Sequence, residues 1–276
     1  MKIHAIETGR VMVKQGQLHG RGGDRSRVWR TMLGREWTPW LPIHCWAIEH
    51  PEGVILVDTG ETARALGPGH APRWNPYFKL AVRFDVTAER EVGPQLRRAG
   101  IEPADVRWVV LTHMHGDHVG GLSHFPRAEI VAARAEVEFA SGFQGKLRGY
   151  LPHTLPAWFA PRLVELDAGP RGAFSASLPL TDARDVWLVA TPGHTPHHIS
   201  VTVEDGERCV MLAGDMSYTQ QAMVDQVIDG VTADGATARD SLRRTLEHVQ
   251  TQPTVYLPSH DPEGAARLQA RTVVPV

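Results

Sequence analysis

The chain of 276 residues is 42% hydrophobic and 22% charged, an ordinary balance for a globular protein with a sizeable core. Its net charge of −2 and pI near 6.7 supply no electrostatic attraction to nucleic acid or to an anionic membrane. No apolar run reaches the roughly 18 residues of a membrane span, and Met1-Lys2-Ile3-His4-Ala5 opens no secretory leader, so a cytoplasmic chain is expected.

The first strands are predicted over residues 2–7 and 11–14. Residues 15–41 read as a long loop with some turn of helix, rich in Gly, Arg and Trp. Its basic residues Arg21, Arg25, Arg27, Arg30 and Arg35 are offset by Asp24 and Glu36, which points to a solvated loop rather than a phosphate-binding face. Trp29, Trp37, Trp40, Trp46 and Trp74 crowd the first part of the chain, either to line an apolar groove or to cover a sheet edge or dimer contact. Residues 42–49 and 54–57 form a hairpin pattern around Pro51-Glu52-Gly53, and the second strand ends in Val57-Asp58-Thr59-Gly60.

Turn residues dominate 67–76, and a short helix spans 92–100, with Pro94 in its first turn and Gly100 as its stop. Residues 106–111 are a buried strand, 129–133 another, and 134–140 a helix. Segment 142–183 is hard to read; Tyr150, Leu151, Leu155, Trp158 and Phe159 among its prolines suggest a lid or rim, with His153 on the surface. Strands follow at 186–190, 199–203 and 210–213, with Gly206 turning the last two. An amphipathic helix over 237–250 is capped by Thr237 and turns Leu242, Leu246 and Val249 inward. The final strand is 255–257. Cys45 and Cys209 sit in apolar stretches as buried small hydrophobes, with no disulfide framework.

One stretch stands apart: Thr112-His113-Met114-His115-Gly116-Asp117-His118, directly after the strand 106–111. Three imidazoles and a carboxylate within six residues exceed what 15 histidines scattered over the chain would give by chance. In extended chain His113 and His115 leave the same face, while Asp117 and His118 point apart and can serve a second ion. Imidazole with carboxylate suits zinc, with manganese, iron or cobalt as substitutes. Gly120-Gly121 after it lets backbone pass close to the metals and opens the next helix.

H-x-H-x-D-H after a buried strand resembles the metal loop of the metallo-β-lactamase superfamily. The resemblance implies an α/β chain folded as a four-layer αβ/βα sandwich, one domain over residues 1–276. It also implies that Asp58, in V-D-T-G, supports the metal loop without binding metal. Three later strand ends carry the remaining candidates: Thr191-Pro192-Gly193-His194-Thr195, Gly214-Asp215 and Pro258-Ser259-His260. Carried over, one zinc takes His113, His115 and His194, and a second takes Asp117, His118 and His260. Asp215 bridges them, with a water or hydroxide between. His197 and His198 are set aside, since a fourth imidazole would close the open position.

Departures narrow the activity. His115 is not the Glu of the flavodiiron branch; Asp215 is a carboxylate that antibiotic-cleaving β-lactamases lack; the short stretch after His260 leaves no room for the helical domain of hydroxyacylglutathione hydrolases; and no large insertion suggests nucleic-acid processing. T-P-G-H-T-P-H-H, D-M-S-Y-T and S-H-D are similar to the quorum-quenching N-acyl homoserine lactonases, although Gly116 stands where that loop often has a bulky residue. The resemblance implies a dizinc hydrolase opening a lactone as a monomer or homodimer. Tyr218 would stabilise the oxyanion and Asp117 would shuttle a proton to the leaving oxygen. An aryl ester or phosphotriester hydrolase is the alternative, and a non-catalytic metal-binding sensor a more distant one.

Overall fold

A computed structural model describes residues 1–275, apart from the side chain of Arg25, one of the basic run in the N-terminal loop. The first half of the chain contains β1 (Lys2–Val13), α1 (Gln15–Leu18), α2 (Asp24–Leu33), β2 (Leu41–Glu49), β3 (Val54–Val57), α3 (Tyr77–Leu80) and β4 (Val82–Asp85). Next come α4 (Val92–Arg98), β5 (Val106–Leu111), α5 (Gly116–Val119), β6 (Glu129–Ala133), α6 (Arg134–Ser141), α7 (Phe143–Leu147) and β7 (Arg162–Val164). The last part holds β8 (Ser177–Pro179), β9 (Val186–Ala190), β10 (Ile199–Asp205), β11 (Arg208–Gly214), α8 (Gln220–Val224), α9 (Gly235–Thr251), β12 (Thr254–Pro258) and α10 (Gly264–Ala270).

These elements form two compact units, one of Met1–Lys14 with Arg35–Val164, the other of Gln15–Gly34 with the chain from Glu165 onward. The first is built on a seven-stranded sheet in the order β4-β1-β2-β3-β5-β6-β7. The two strands expected at its start are one strand, β1, whose register against β2 shifts between Glu7 and Arg10. β3, β5, β6 and β7 run parallel, so Asp58 after β3 and His113 after β5 leave the same edge. Leu56, Val109, Leu111 and Ala132 from those strands pack with Leu96 of α4 and Leu122 into one apolar core. Tyr150 and Leu151, expected on a rim, are buried, and Tyr150 belongs to this core.

The second unit is built on a five-stranded sheet, β12-β11-β10-β9-β8. β10 is antiparallel to both β9 and β11, and β12 is parallel to β11, so β9, β11 and β12 point one way. Their C-terminal ends deliver His194, Asp215 and His260 to a common edge. α9 covers this sheet with Leu242 and Val249, while Leu246 is partly buried. Its cap is Asp234 rather than Thr237: the Asp234 carboxylate accepts the Thr237 N–H at 2.7 Å, so the helix starts a turn earlier than expected. The predicted N-terminal loop is largely α1 and α2, and its Arg27 is buried rather than solvated. No helix among the described residues is long and apolar enough to cross a membrane.

Candidate metal centre

In the first unit the ligand-type residues sit on a turn held from two sides. Asp58 follows β3 in a left-handed conformation (φ 61°), costly for a non-glycine residue, and its side chain explains why it stays there. Oδ1 accepts the Thr112 N–H at 2.8 Å; Oδ2 accepts the Thr112 hydroxyl at 2.8 Å and lies 2.8 Å from His118 Nδ1. With Nδ1 engaged, Nε2 is the His118 nitrogen that could serve a metal. Thr59 donates both its N–H (2.8 Å) and its hydroxyl (2.9 Å) to the His118 carbonyl. Behind the loop, the buried Glu136 of α6 accepts from the Met114 N–H at 3.2 Å and from the Tyr150 hydroxyl at 2.7 Å. The Tyr150 ring in turn lies 4.7 Å from that of His115.

The extended stretch before α5 brings His113 Nε2 and His115 Nδ1 to 3.0 Å, as the spacing requires of two side chains sharing a face. The next pair differs from expectation. α5 already begins at Gly116, so Asp117 and His118 are separated by a helical step rather than a strand's half-turn. They do not point apart: Asp117 Oδ1 lies 3.9 Å from His118 Nε2. The small residues after the loop are required by the turn they pass. A Cβ on Gly120 would stand 2.6 Å from Glu61 Oε1, and one on Gly121 2.3 Å from the Thr59 carbonyl. The backbone there passes close to the 59–62 turn. Burial, reinforced by Asp117, pushes the Glu61 carboxyl up to about 8.

In the second unit the three strand ends converge. Gly193 (φ 148°) lets the turn before His194 press on α9, where a Cβ would meet the Ala238 Cα at 2.4 Å. His194 Nδ1 lies 2.9 Å from Asp229 Oδ2, which turns Nε2 toward Asp215. Asp215 faces two imidazoles, with Oδ2 3.5 Å from His194 Nε2 and Oδ1 3.3 Å from His260 Nε2. Burial works to raise the Asp229 carboxyl, but the His194 ring and the Val231 N–H hold it below the ordinary range. His198, set aside as a ligand, is buried as a brace: Nδ1 is 2.9 Å from the Thr191 hydroxyl and Nε2 accepts the Asp215 N–H at 3.1 Å. His197 is exposed.

Tyr218 is buried, its ring stacked on that of His260 with centroids 5.4 Å apart. Its hydroxyl receives a hydrogen bond from the Gln17 amide at 2.6 Å. Asp261 fixes the turn after β12, accepting from the Gln220 N–H and from Arg267, both at 2.9 Å. Both units thus present buried imidazoles whose second nitrogen is anchored on a carboxylate, mixed with carboxylate donors. That donor set fits a divalent transition metal.

A model of the metallo-β-lactamase superfamily matches residues 38–260. The chain belongs to the metallo-β-lactamase superfamily. A "Probable metallo-hydrolase" of Mycobacterium tuberculosis is 35% identical over 64% of this chain and 57% of its own length. The chain therefore spans little more than half of that relative. An N-acyl homoserine lactonase of a Bacillus species is 29% identical over 95% of this chain and 94% of its own. A solved N-acyl homoserine lactone hydrolase, with N-hexanoyl-L-homoserine at its metal centre, is 25% identical with a TM-score of 0.76. That match covers 100% of this chain and 98% of the other, and the fold is the metallo-β-lactamase fold.

Sequence reasoning missed Asp229, Glu136, Glu61 and Gln17. Asp229 precedes Gly230 in what reads as an ordinary turn, and nothing near the others in sequence hints at a partner far along the chain.

Proposed function

We propose that the whole chain acts as one catalytic domain, a hydrolase that uses two divalent metal ions, zinc in the simplest reading, to open an N-acyl homoserine lactone. His113, His115 and His194 would hold one ion, Asp117, His118 and His260 the other, with Asp215 shared. The observation that carries the two-ion reading is Asp215, whose two carboxylate oxygens face different imidazoles. Buried carboxylate oxygens turned toward two imidazole nitrogens form donor pairs that a cation on each side would stabilise. When bound, such ions lower the pKa of water and polarise a carbonyl.

This chain's own residues would then do the following. Asp58 and Asp229 keep His118 and His194 in one tautomer and orientation. The Tyr218 phenol donates a hydrogen bond to the oxygen on which charge develops. Asp117 accepts the proton released by the incoming water and delivers it to the departing ring oxygen. The acyl C–O bond of the ring breaks, a C–O bond to the water oxygen forms, and the product is the hydroxy acid with its amide intact.

The lactonase relatives support this substrate class, and so does an apolar cavity of about 430 Å³ within the first unit. Met114 and Val119 of the metal-loop region line it together with Tyr150, Leu151, Leu155 and Phe159. A cavity of this size and character suits the apolar tail of an acyl lactone. Such an activity would quench an acyl-lactone quorum signal, and we place it in the cytoplasm.

The test is incubation with N-hexanoyl homoserine lactone followed by mass spectrometry. The expected product is the ring-opened acid, heavier by one water. Free homoserine lactone would show amide cleavage and overturn the assignment. Turnover of paraoxon-like esters without any lactone turnover would transfer the site to phosphotriester hydrolysis.

A further inference from the structure

We infer that Gln17, on α1 in the N-terminal part of the chain, is a positioning residue that aims the Tyr218 hydroxyl. The inference rests on the catalytic role proposed for Tyr218. Gln17 is buried (3% exposed), and its Nε2 donates to the phenol oxygen at 2.6 Å across a sequence separation of 201 residues.

The chemistry of the phenol gives that contact its meaning. A tyrosine hydroxyl carries one proton and two acceptor lone pairs. Once the amide N–H occupies one lone pair, the proton turns away from Gln17, where it can be donated. The bond accepted also polarises the hydroxyl and strengthens it as a donor. Two different contacts thus set two different degrees of freedom. The stack on His260 places the ring, and Gln17 sets the rotation of the C–O–H group.

The segment around Gln17 is held firmly enough for this task. The Gln17 carbonyl accepts the Gly230 N–H at 2.8 Å, and the Gly20 N–H donates to the Ile228 carbonyl at 2.8 Å. The Thr31 hydroxyl bonds the carbonyls of Gly16 (3.2 Å) and Gly230 (3.3 Å). Arg27, 1% exposed, donates to the Thr232 carbonyl at 2.9 Å and to Asp24 at 2.7 Å. The stretch these bonds grip, residues 228–232, is the one that carries Asp229 to His194. The 15–34 segment therefore braces both the phenol and the carboxylate behind a metal ligand.

A double-mutant cycle decides the matter, with kcat, KM, metal content and melting temperature measured for each protein. Gln17→Met keeps the shape of the side chain and removes the donor. It should lower kcat on the order of 3- to 10-fold, with KM within about twofold and metal content unchanged. In a Tyr218→Phe background the same substitution should cost nothing further. Gln17→Glu should lose more than Gln17→Met, because a carboxylate draws the phenol proton toward itself. If Gln17→Met does not fold, Gln17→Leu takes its place in the cycle.

Equal losses from Gln17→Met in the wild-type and Tyr218→Phe backgrounds would overturn the inference, leaving Gln17 as packing. So would a Gln17→Glu enzyme as fast as wild type, since the amide would then accept from the phenol rather than donate to it. If Tyr218→Phe alone runs at the wild-type rate, the role of Tyr218 falls, and the inference with it.

Discussion

Two buried aspartates, Asp58 and Asp229, each engage the Nδ1 of an imidazole, His118 at 2.8 Å and His194 at 2.9 Å. Replacing either with Asn keeps the volume and removes the charge that would make the ring a better ligand. We expect metal affinity to fall roughly 10- to 100-fold in each variant, read by competition with a chromogenic chelator. Asp215→Ala should act more severely, abolishing activity and lowering metal occupancy, because the Asp215 carboxylate faces both His194 and His260. Tyr218→Phe should retain its metal and its melting temperature while kcat drops by about tenfold, near the low end for loss of a single donor. At this scale the sequence was legible where ligand-type residues cluster, from His113 to His118, and where a strand ends on His or Asp. It was silent on Asp229, Glu136 and Gln17, whose meaning comes entirely from partners brought in by the fold.

Elements with one strong period were readable, and short or mixed ones were not. β5 is a short apolar run broken only by Arg107, which reads as a buried strand, and α9 carries a clear inward stripe. β4, β7 and β8 have three or four residues each, too few for a period to show against their neighbours. α5 was misplaced because four residues give no helical repeat, and its consequence, the convergence of Asp117 with His118, was lost with it.

Two stability predictions belong to this scale. Gly193→Ala puts a methyl into α9 from a left-handed backbone position, so it should cost at least about 2 kcal/mol in denaturant unfolding.

The second concerns Glu91, at the start of α4. Oε1 accepts from the Thr62 hydroxyl at 3.0 Å and the Ala63 N–H at 2.9 Å, while Oε2 lies 2.7 Å from His124 Nε2. Burial works to raise its carboxyl, but these bonds outweigh it and hold the group below its usual range. A carboxyl depressed in the folded state binds fewer protons there than in the unfolded chain. Its stabilisation is therefore present above an unfolded value of about 4.5 and is lost as pH falls through the folded one. In chelator-treated protein, Glu91→Gln should be less stable than wild type at pH 7, and the gap should close as pH drops below about 4.5.

For the molecule as a whole, the two-ion reading makes a stoichiometric prediction. Elemental analysis of protein purified without chelator should find two transition-metal ions per chain, and one at saturation would sink the dinuclear assignment. The superfamily was readable from the sequence because His and Asp candidates fall at strand ends in order. The division into two units was not, because it separates residues 15–34 from the strands that flank them on either side.

That separation bears on how the chain is made. Gln17 leaves the ribosome before Tyr218, which follows 201 residues later. At translation rates of about 5 to 20 residues per second, the gap lasts on the order of 10 to 40 s. Throughout it α1 and α2 have neither Tyr218 nor the 228–232 stretch to dock on, while β1 and β2 on either side can already pair. The earliest-made part of the second unit thus waits for chain made much later, and until then a nascent chain carries Arg27 and Gln17 without the partners that bury them.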